Sequence, residues 1–264
     1  LMEADCWIEY NTMYILYSDT YEEVAHTNKK LRFLCLPGMH VDVFIRLFAN
    51  TDHEALRDLL HAVRDKIRSA KHVRLTSTAG EDIEFDNHPD YPINARDGYA
   101  DEPGTFMLAG MISWTPDLDT VNGVIAIDGS LVPQFGVLEQ PVKIYMKNGV
   151  IDHVEGGAIA EQWEKYMRDF QHPQMLRPAH VCVGFHPNAK LTGQLGEDER
   201  IYGGSQWGFG AIGSFLMPPN GIPAPSHIDA TCLRVSIYLD GVAITQDGEI
   251  VDEELKKYAA RLGR

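Results

Sequence analysis

Long apolar runs are missing from this chain of 264 residues. None reaches the roughly 20 residues that a bilayer-spanning helix needs, so no membrane partner is expected. The N-terminus shows no basic segment followed by a short apolar one, and no export is expected. Cysteine is scarce. Cys6, Cys35, Cys182 and Cys232 lie far apart and none belongs to a Cys-x-x-Cys pair, which excludes a zinc ribbon or a dithiol redox motif. Their apolar settings predict small buried hydrophobes in a reducing compartment, so the expected location is cytoplasmic. Basic residues are outnumbered, 23 Lys and Arg against 38 Asp and Glu, for a net charge of −15. A nucleic-acid site needs a basic patch to replace counterions, so no nucleic-acid partner is expected. The acidic surplus reads as a solubility feature. Internal repeats and low-complexity segments are also lacking. The chain opens on Leu1-Met2-Glu3-Ala4-Asp5, which looks like the middle of an element. An N-terminal portion is therefore expected to be missing.

What is present divides near residue 70. Cys6 to Tyr10 and Leu31 to Leu36 read as strands, the second ended by Pro37-Gly38. The polar stretch from Tyr21 to Lys30 reads as a helix. From Thr51, residues Ala55, Leu56, Leu59, Leu60, Val63 and Ile67 recur at helical spacing, with Thr51 or Asp52 as the cap. This alternation is an α/β pattern and predicts that residues 1–70 form the C-terminal part of an α/β domain.

Residues 71–264 read instead as a β-rich, mainly antiparallel catalytic domain. His72 to Ser77 and Glu81 to Phe85 make a hairpin across Gly80. A loop-rich region follows, punctuated by Pro89, Pro92, Gly98, Pro103, Gly104 and Gly110. Gly123 to Gly129 reads as a buried strand. Val142 to Met146 and Val150 to Glu155 flank Asn148-Gly149, the strongest short hairpin signal. Ala158 to Phe170 reads as a helix, Val181 to Gly184 and Cys232 to Leu239 as strands. Turns at Asp240-Gly241 and Asp247-Gly248 precede a charged terminal helix from Val251 to Leu262.

The chemistry gathers at Ser226-His227-Ile228-Asp229. On a strand, side chains alternate with period two, so His227 and Asp229 share a face. An imidazole and a carboxylate make two of three ligands for a divalent metal. Two His and one carboxylate around open positions is the facial set of non-haem Fe(II) oxygenases. His180, in the apolar run from Pro178 to Gly184, is the candidate third ligand. The competing reading is a His capped by a nearby Asp on a surface turn.

Longer motifs point further. They are Gly98-Tyr99-Ala100-Asp101-Glu102-Pro103-Gly104, Asn122 to Gly129, Asn148-Gly149 followed by Val154-Glu155-Gly156-Gly157, and His180 preceding Gly184-Phe185-His186-Pro187-Asn188-Ala189-Lys190-Leu191. With Ser226 to Asp229 they resemble, in order, the 2,5-dihydroxypyridine 5,6-dioxygenase family. Those are iron-dependent ring-cleaving relatives of the leucyl aminopeptidase (aminopeptidase T) metallopeptidases. The likeness runs from the first strand to Glu249-Ile250-Val251.

The resemblance implies an α/β domain ahead of Leu1, a homo-oligomer, and Fe(2+) held by His180, His227 and Asp229. The expected partners are then a small aromatic substrate and O2. The peptidase branch would place a metal-binding His where Gln206 stands. A neutral amide is a poor ligand there, which argues for one metal rather than two. The family's substrate residues, carried over by position, are an acid at Arg96, a His at Leu108, a His near Thr12 and an Arg near Gln206 or Trp207. None matches, so a different substrate is expected. An aminopeptidase-like metallohydrolase is the alternative activity.

Further roles follow from residue chemistry. Arg96 has a planar fork for a substrate carboxylate, or is a surface Arg beside Asp97. Gln206 and Ser226 are candidate donors to substrate or O2, with a plain turn after Pro225 as the other reading of Ser226. Trp207 is a candidate aromatic wall or a core residue, and Thr12 a pocket position. His186 is a candidate acid or base, or a structural loop histidine.

Overall fold

The computed structural model describes residues 1–11, 15, 16, 18–36 and 38–264. Strands β1 (Cys6–Glu9) and β2 (Arg32–Cys35) run parallel, linked through helix α1 (Asp19–Thr27). Helix α2 (Val41–Phe48) follows, with Val43 and Leu47 buried one turn apart. In α3 (His53–Ser69) the Asp52 side chain accepts the Ala55 N–H at 2.8 Å, and all six residues of the apolar stripe are buried.

Strands β3 (His72–Ser77) and β4 (Asp82–Asp86) form the expected hairpin. The region expected to be loop holds three four-residue strands instead: β5 (Ile93–Arg96), β6 (Gly104–Met107) and β7 (Met111–Trp114). β6 pairs parallel to β2 and completes a small sheet of order β1-β2-β6. That sheet thus takes a strand from beyond residue 70, while the apolar stripe of α3 lies in the main core.

Onward come β8 (Asn122–Ile127), β9 (Ser130–Val132), β10 (Gly136–Val137), and the hairpin β11 (Val142–Lys147) and β12 (Val150–Glu155). Helix α4 (Gly157–Asp169) leads to β13 (Pro178–Gly184), the one-turn α5 (Leu195–Asp198), β14 (Ser205–Ile212) and β15 (Ile222–Cys232). The run from Cys232 to Leu239 is not one strand. Arg234 adopts a φ of 50°, and the chain crosses there from β15 into β16 (Val235–Leu239) of another sheet. After β17 (Val242–Ala243), β18 (Thr245–Gln246) and β19 (Glu249–Ile250), helix α6 spans only Lys256–Arg261. It starts late because the Asp252 carboxylate accepts the N–H groups of Glu254 and Leu255 and holds that stretch as a turn.

Two antiparallel seven-stranded sheets form the body, β10-β9-β15-β14-β13-β7-β5 and β12-β11-β8-β4-β3-β16-β17. Their facing sides make the core, where the Trp207 ring meets Phe85 edge-on at 5.6 Å. The first sheet has a second, outer face, and the candidate site lies on it. Among the described residues no helix is long and apolar enough to cross a membrane.

Candidate metal centre

Strands β13, β14 and β15 are neighbours, and their register sets His180, Gly208 and Asp229 in one row across the sheet. Alternation then puts His227 and Asp229 on the same face. The Nε2 atoms of His180 and His227 are 3.1 Å apart, and they lie 3.6 and 3.3 Å from Asp229 Oδ1. Donors bound about 2.1 Å from one cation stand roughly 3.0–3.5 Å from each other, so this triangle fits a single metal ion. Among the described residues it is the one group of three or more His, Cys, Asp or Glu that converges this way.

The surroundings orient these donors toward one point. His227 Nδ1 lies 2.7 Å from the Ala211 carbonyl oxygen. Donating its hydrogen there leaves the Nε2 lone pair facing the cluster. Gln206 Nε2 donates to Asp229 Oδ1 at 2.5 Å. Burial, then the charge of His227, pushes the pKa of His180 down to about 3, so that imidazole is neutral. Burial opposes ionisation of Asp229, but His227, His180 and Gln206 outweigh it and lower its pKa. Burial likewise opposes a charge on His227, and the Asp229 carboxylate overrides it to raise the imidazole. A neutral imidazole and an ionised carboxylate are the forms a metal takes up, so His180 and Asp229 stand ready, and a cation at the cluster would displace the proton that Asp229 favours on His227.

The triangle forms part of the lining of a 510 Å³ cavity, a usual size for a small-molecule site. Arg96 of β5 enters the same cavity. Its Nε donates to Ser113 Oγ at 3.2 Å, and its guanidinium lies 5.0 Å from the centre of the Phe215 ring. Gln206 is fully buried behind Asp229, where it aims the carboxylate rather than meeting the cavity.

Three further candidates stand outside the cavity wall, Trp207 and His186 in the core and structural roles that are their other readings. Ser226 precedes His227, so alternation turns it to the other side of β15, and it is absent from the cavity wall. Trp207 also faces away: its indole N–H donates to Glu81 Oε1 at 3.1 Å inside the core. His186 is buried outside the cavity, with Nε2 3.1 Å from the Leu47 carbonyl and Nδ1 accepting the Asn188 N–H. Nε2 thus ties the end of β13 to α2, and Nδ1 closes a local turn. Thr12 lies outside the described residues.

The cavity also holds residues that the sequence does not advertise. Glu199 lines it, its Oε1 accepting from Arg200. Burial raises the Glu199 pKa. The acid-rich run Gly196 to Arg200 resembles a solvated loop and carries no periodic signal. Cys182 and Ser113 reach the cavity because they stand in register on the outer face of adjacent strands.

Fold and donor set define a protein of mixed α/β architecture with a candidate metal site on the open face of an antiparallel sheet. The family model of NicX, 2,5-dihydroxypyridine 5,6-dioxygenase, matches residues 1–252, and the chain belongs to that family. The 2,5-dihydroxypyridine 5,6-dioxygenase of Pseudomonas putida (strain KT2440) is 27% identical over an alignment of 255 residues that covers 92% of this chain and 71% of that protein. A solved structure of the dihydroxypyridine dioxygenase from Pseudomonas putida KT2440 superposes with a TM-score of 0.81 at 23% identity, covering 96% of this chain and 74% of that one. AmpT from Thermus thermophilus shares the fold at a TM-score of 0.66 and 13% identity, over 95% of this chain and 77% of that one.

Proposed function

We propose that the chain is an Fe(II)-dependent, extradiol-type dioxygenase that opens the ring of a hydroxylated aromatic or N-heteroaromatic carboxylate. The observation that carries this is the convergence of His180 Nε2, His227 Nε2 and Asp229 Oδ1 at a cavity. These three atoms would hold the metal. Iron bound there would supply open positions for a substrate hydroxyl and O2 and the electron transfer between them. The chain's own residues do the rest. Arg96 pairs its planar fork with the substrate carboxylate. Phe215 braces that guanidinium from one side. Glu199, with its pKa raised by burial, accepts a hydrogen from a substrate O–H or N–H. Gln206 keeps Asp229 aimed at the metal position. Met107, Met111 and Leu216 supply apolar walls that exclude water.

The hydrolase alternative needs a second metal. The single convergent group among the described residues and the neutral amide of Gln206 favour the dioxygenase. A cytoplasmic homo-oligomer is part of the proposal, and the exposed apolar side chains of Ile8, Val41 and Ile45 support the assembly.

Anaerobic loading with Fe(II), followed by oxygen-electrode assays with 2,5-dihydroxypyridine, gentisate and hydroxynicotinates, tests the activity. One iron per chain and O2 uptake are expected. His227→Ala should lower both metal affinity and uptake by about a hundredfold or more. Two zinc ions per chain with peptide hydrolysis would overturn the assignment.

A further inference from the structure

His180 and Asp229 stand on strands that are not neighbours, since β14 runs between them. Two strand spacings amount to about 9.6 Å, so the His180 ring must lie across β14 to bring Nε2 to the cluster. It crosses at Gly208. A Cβ on that residue would sit 2.4 Å from His180 Nε2, 2.7 Å from Cδ2 and 2.8 Å from Cε1. No non-bonded carbon approaches an aromatic ring so closely. Gly208 is not among the glycines with positive φ, unlike Gly210 two residues on. Its backbone therefore accepts any residue, and what the position requires is the empty space.

The other side of the ring is equally particular. His227 is oriented by a strong acceptor, a carbonyl oxygen at 2.7 Å. His180 Nδ1 instead has the Cys182 Sγ at 3.4 Å. For Nε2 to offer a lone pair, Nδ1 must carry the hydrogen, and the sulfur must accept it. Sulfur is a weak acceptor. Shape thus does for His180 much of what a hydrogen bond does for His227.

We propose that Gly208 and Cys182 are positioning residues of the metal centre: Gly208 is the recess in which the His180 ring crosses the sheet, and Cys182 accepts the hydrogen that leaves Nε2 open. The proposal rests on the single-cation site argued above. Neither residue is a ligand.

Cobalt(II) is the probe, added anaerobically to the metal-free full chain and followed by its d–d absorption and by bound metal per chain. Wild type should bind one Co(II). Gly208→Ala should bind about ten- to a hundredfold more weakly with a displaced band. The double variant Gly208→Ala/His180→Ala should bind no more weakly than His180→Ala alone, because the two changes act through one ring. Cys182→Ala should weaken binding by about tenfold, and Cys182→Ser, with a better acceptor, should restore it.

Folded Gly208→Ala with wild-type affinity and spectrum would overturn the recess. Additive losses in the double variant would do so too. Cys182→Ser as weak as Cys182→Ala would overturn the acceptor role, and the cysteine pair decides even where Gly208→Ala does not fold. Wild type that takes up no Co(II) removes the metal site itself, and with it both this proposal and the dioxygenase assignment. Wild-type uptake with unaffected variants removes this proposal alone.

Discussion

Glu81 is a carboxyl group placed where water cannot reach it. It is 2% exposed, and its Oε1 accepts the Trp207 indole N–H at 3.1 Å. Burial pushes its pKa up to about 8. Unfolded, it titrates at an ordinary value of about 4.3. Between those values the native state binds a proton that the unfolded state has released. Stability from this group is therefore fully present below the unfolded pKa and is lost as pH rises through the folded one. Glu81→Gln keeps an acceptor for Trp207 without a titrating proton. Thermal melts at about pH 5 and about pH 9 should show the variant gaining on wild type at the higher value. Parallel pH profiles would rule this out. Trp207 also shows what a sequence conceals about a strand buried on both faces. His227-x-Asp229 is legible because period two is all the pair needs. Trp207 is not, because from Ser205 to Gly210 every residue of β14 is buried and no polar alternation marks which side is the cavity.

At the scale of elements, the legible pieces are those with local chemistry. Asp52 announces α3, and Asn148-Gly149 announces its hairpin, with φ of 49° and 70° at the two turn residues. Gly149 has a further constraint that no turn rule contains. A Cβ there would fall on the Leu118 carbonyl oxygen. Gly149→Ala should therefore cost more than the roughly 1 kcal/mol of a strained turn alone, about 2–3 kcal/mol in a urea melt. Asn148→Gly, which relaxes the neighbouring positive φ, should change stability by less than about 0.5 kcal/mol. Equal effects would show that the contact with Leu118 is immaterial. The illegible elements fail for physical reasons. Helix α2 has only eight residues, shorter than the roughly 11-residue window in which helical spacing registers, and its exposed Val41, Phe44 and Ile45 hide which side is buried. Strands β5, β6 and β7 are four residues each among prolines and glycines, too short for alternation to register.

Across the whole molecule, the join between distant segments is what sequence order hides. Arg46 of α2 reaches Glu197 of α5, with Nε and Nη2 both bonding Oε1 at 2.9 and 2.8 Å and Nη2 also bonding Oε2 at 2.7 Å. The Glu197 side chain is wholly buried and also accepts the Lys190 N–H at 3.0 Å. Helix α5 belongs to the segment Gly193 to Gly196 and Glu199 that walls the cavity, while Gly38 and Leu16 wall it from the N-terminal side. This ion pair therefore fastens one wall of the site to the other part of the chain. Arg46→Met would leave a carboxylate buried with only a backbone donor, a loss of about 2–3 kcal/mol by denaturant unfolding. Arg46→Met/Glu197→Met removes the stranded charge as well and should recover a substantial part of that loss, since apolar replacement of a buried pair is often close to neutral. A double variant as unstable as the single one would mean that the shape of this junction, rather than its charge, holds the wall in place.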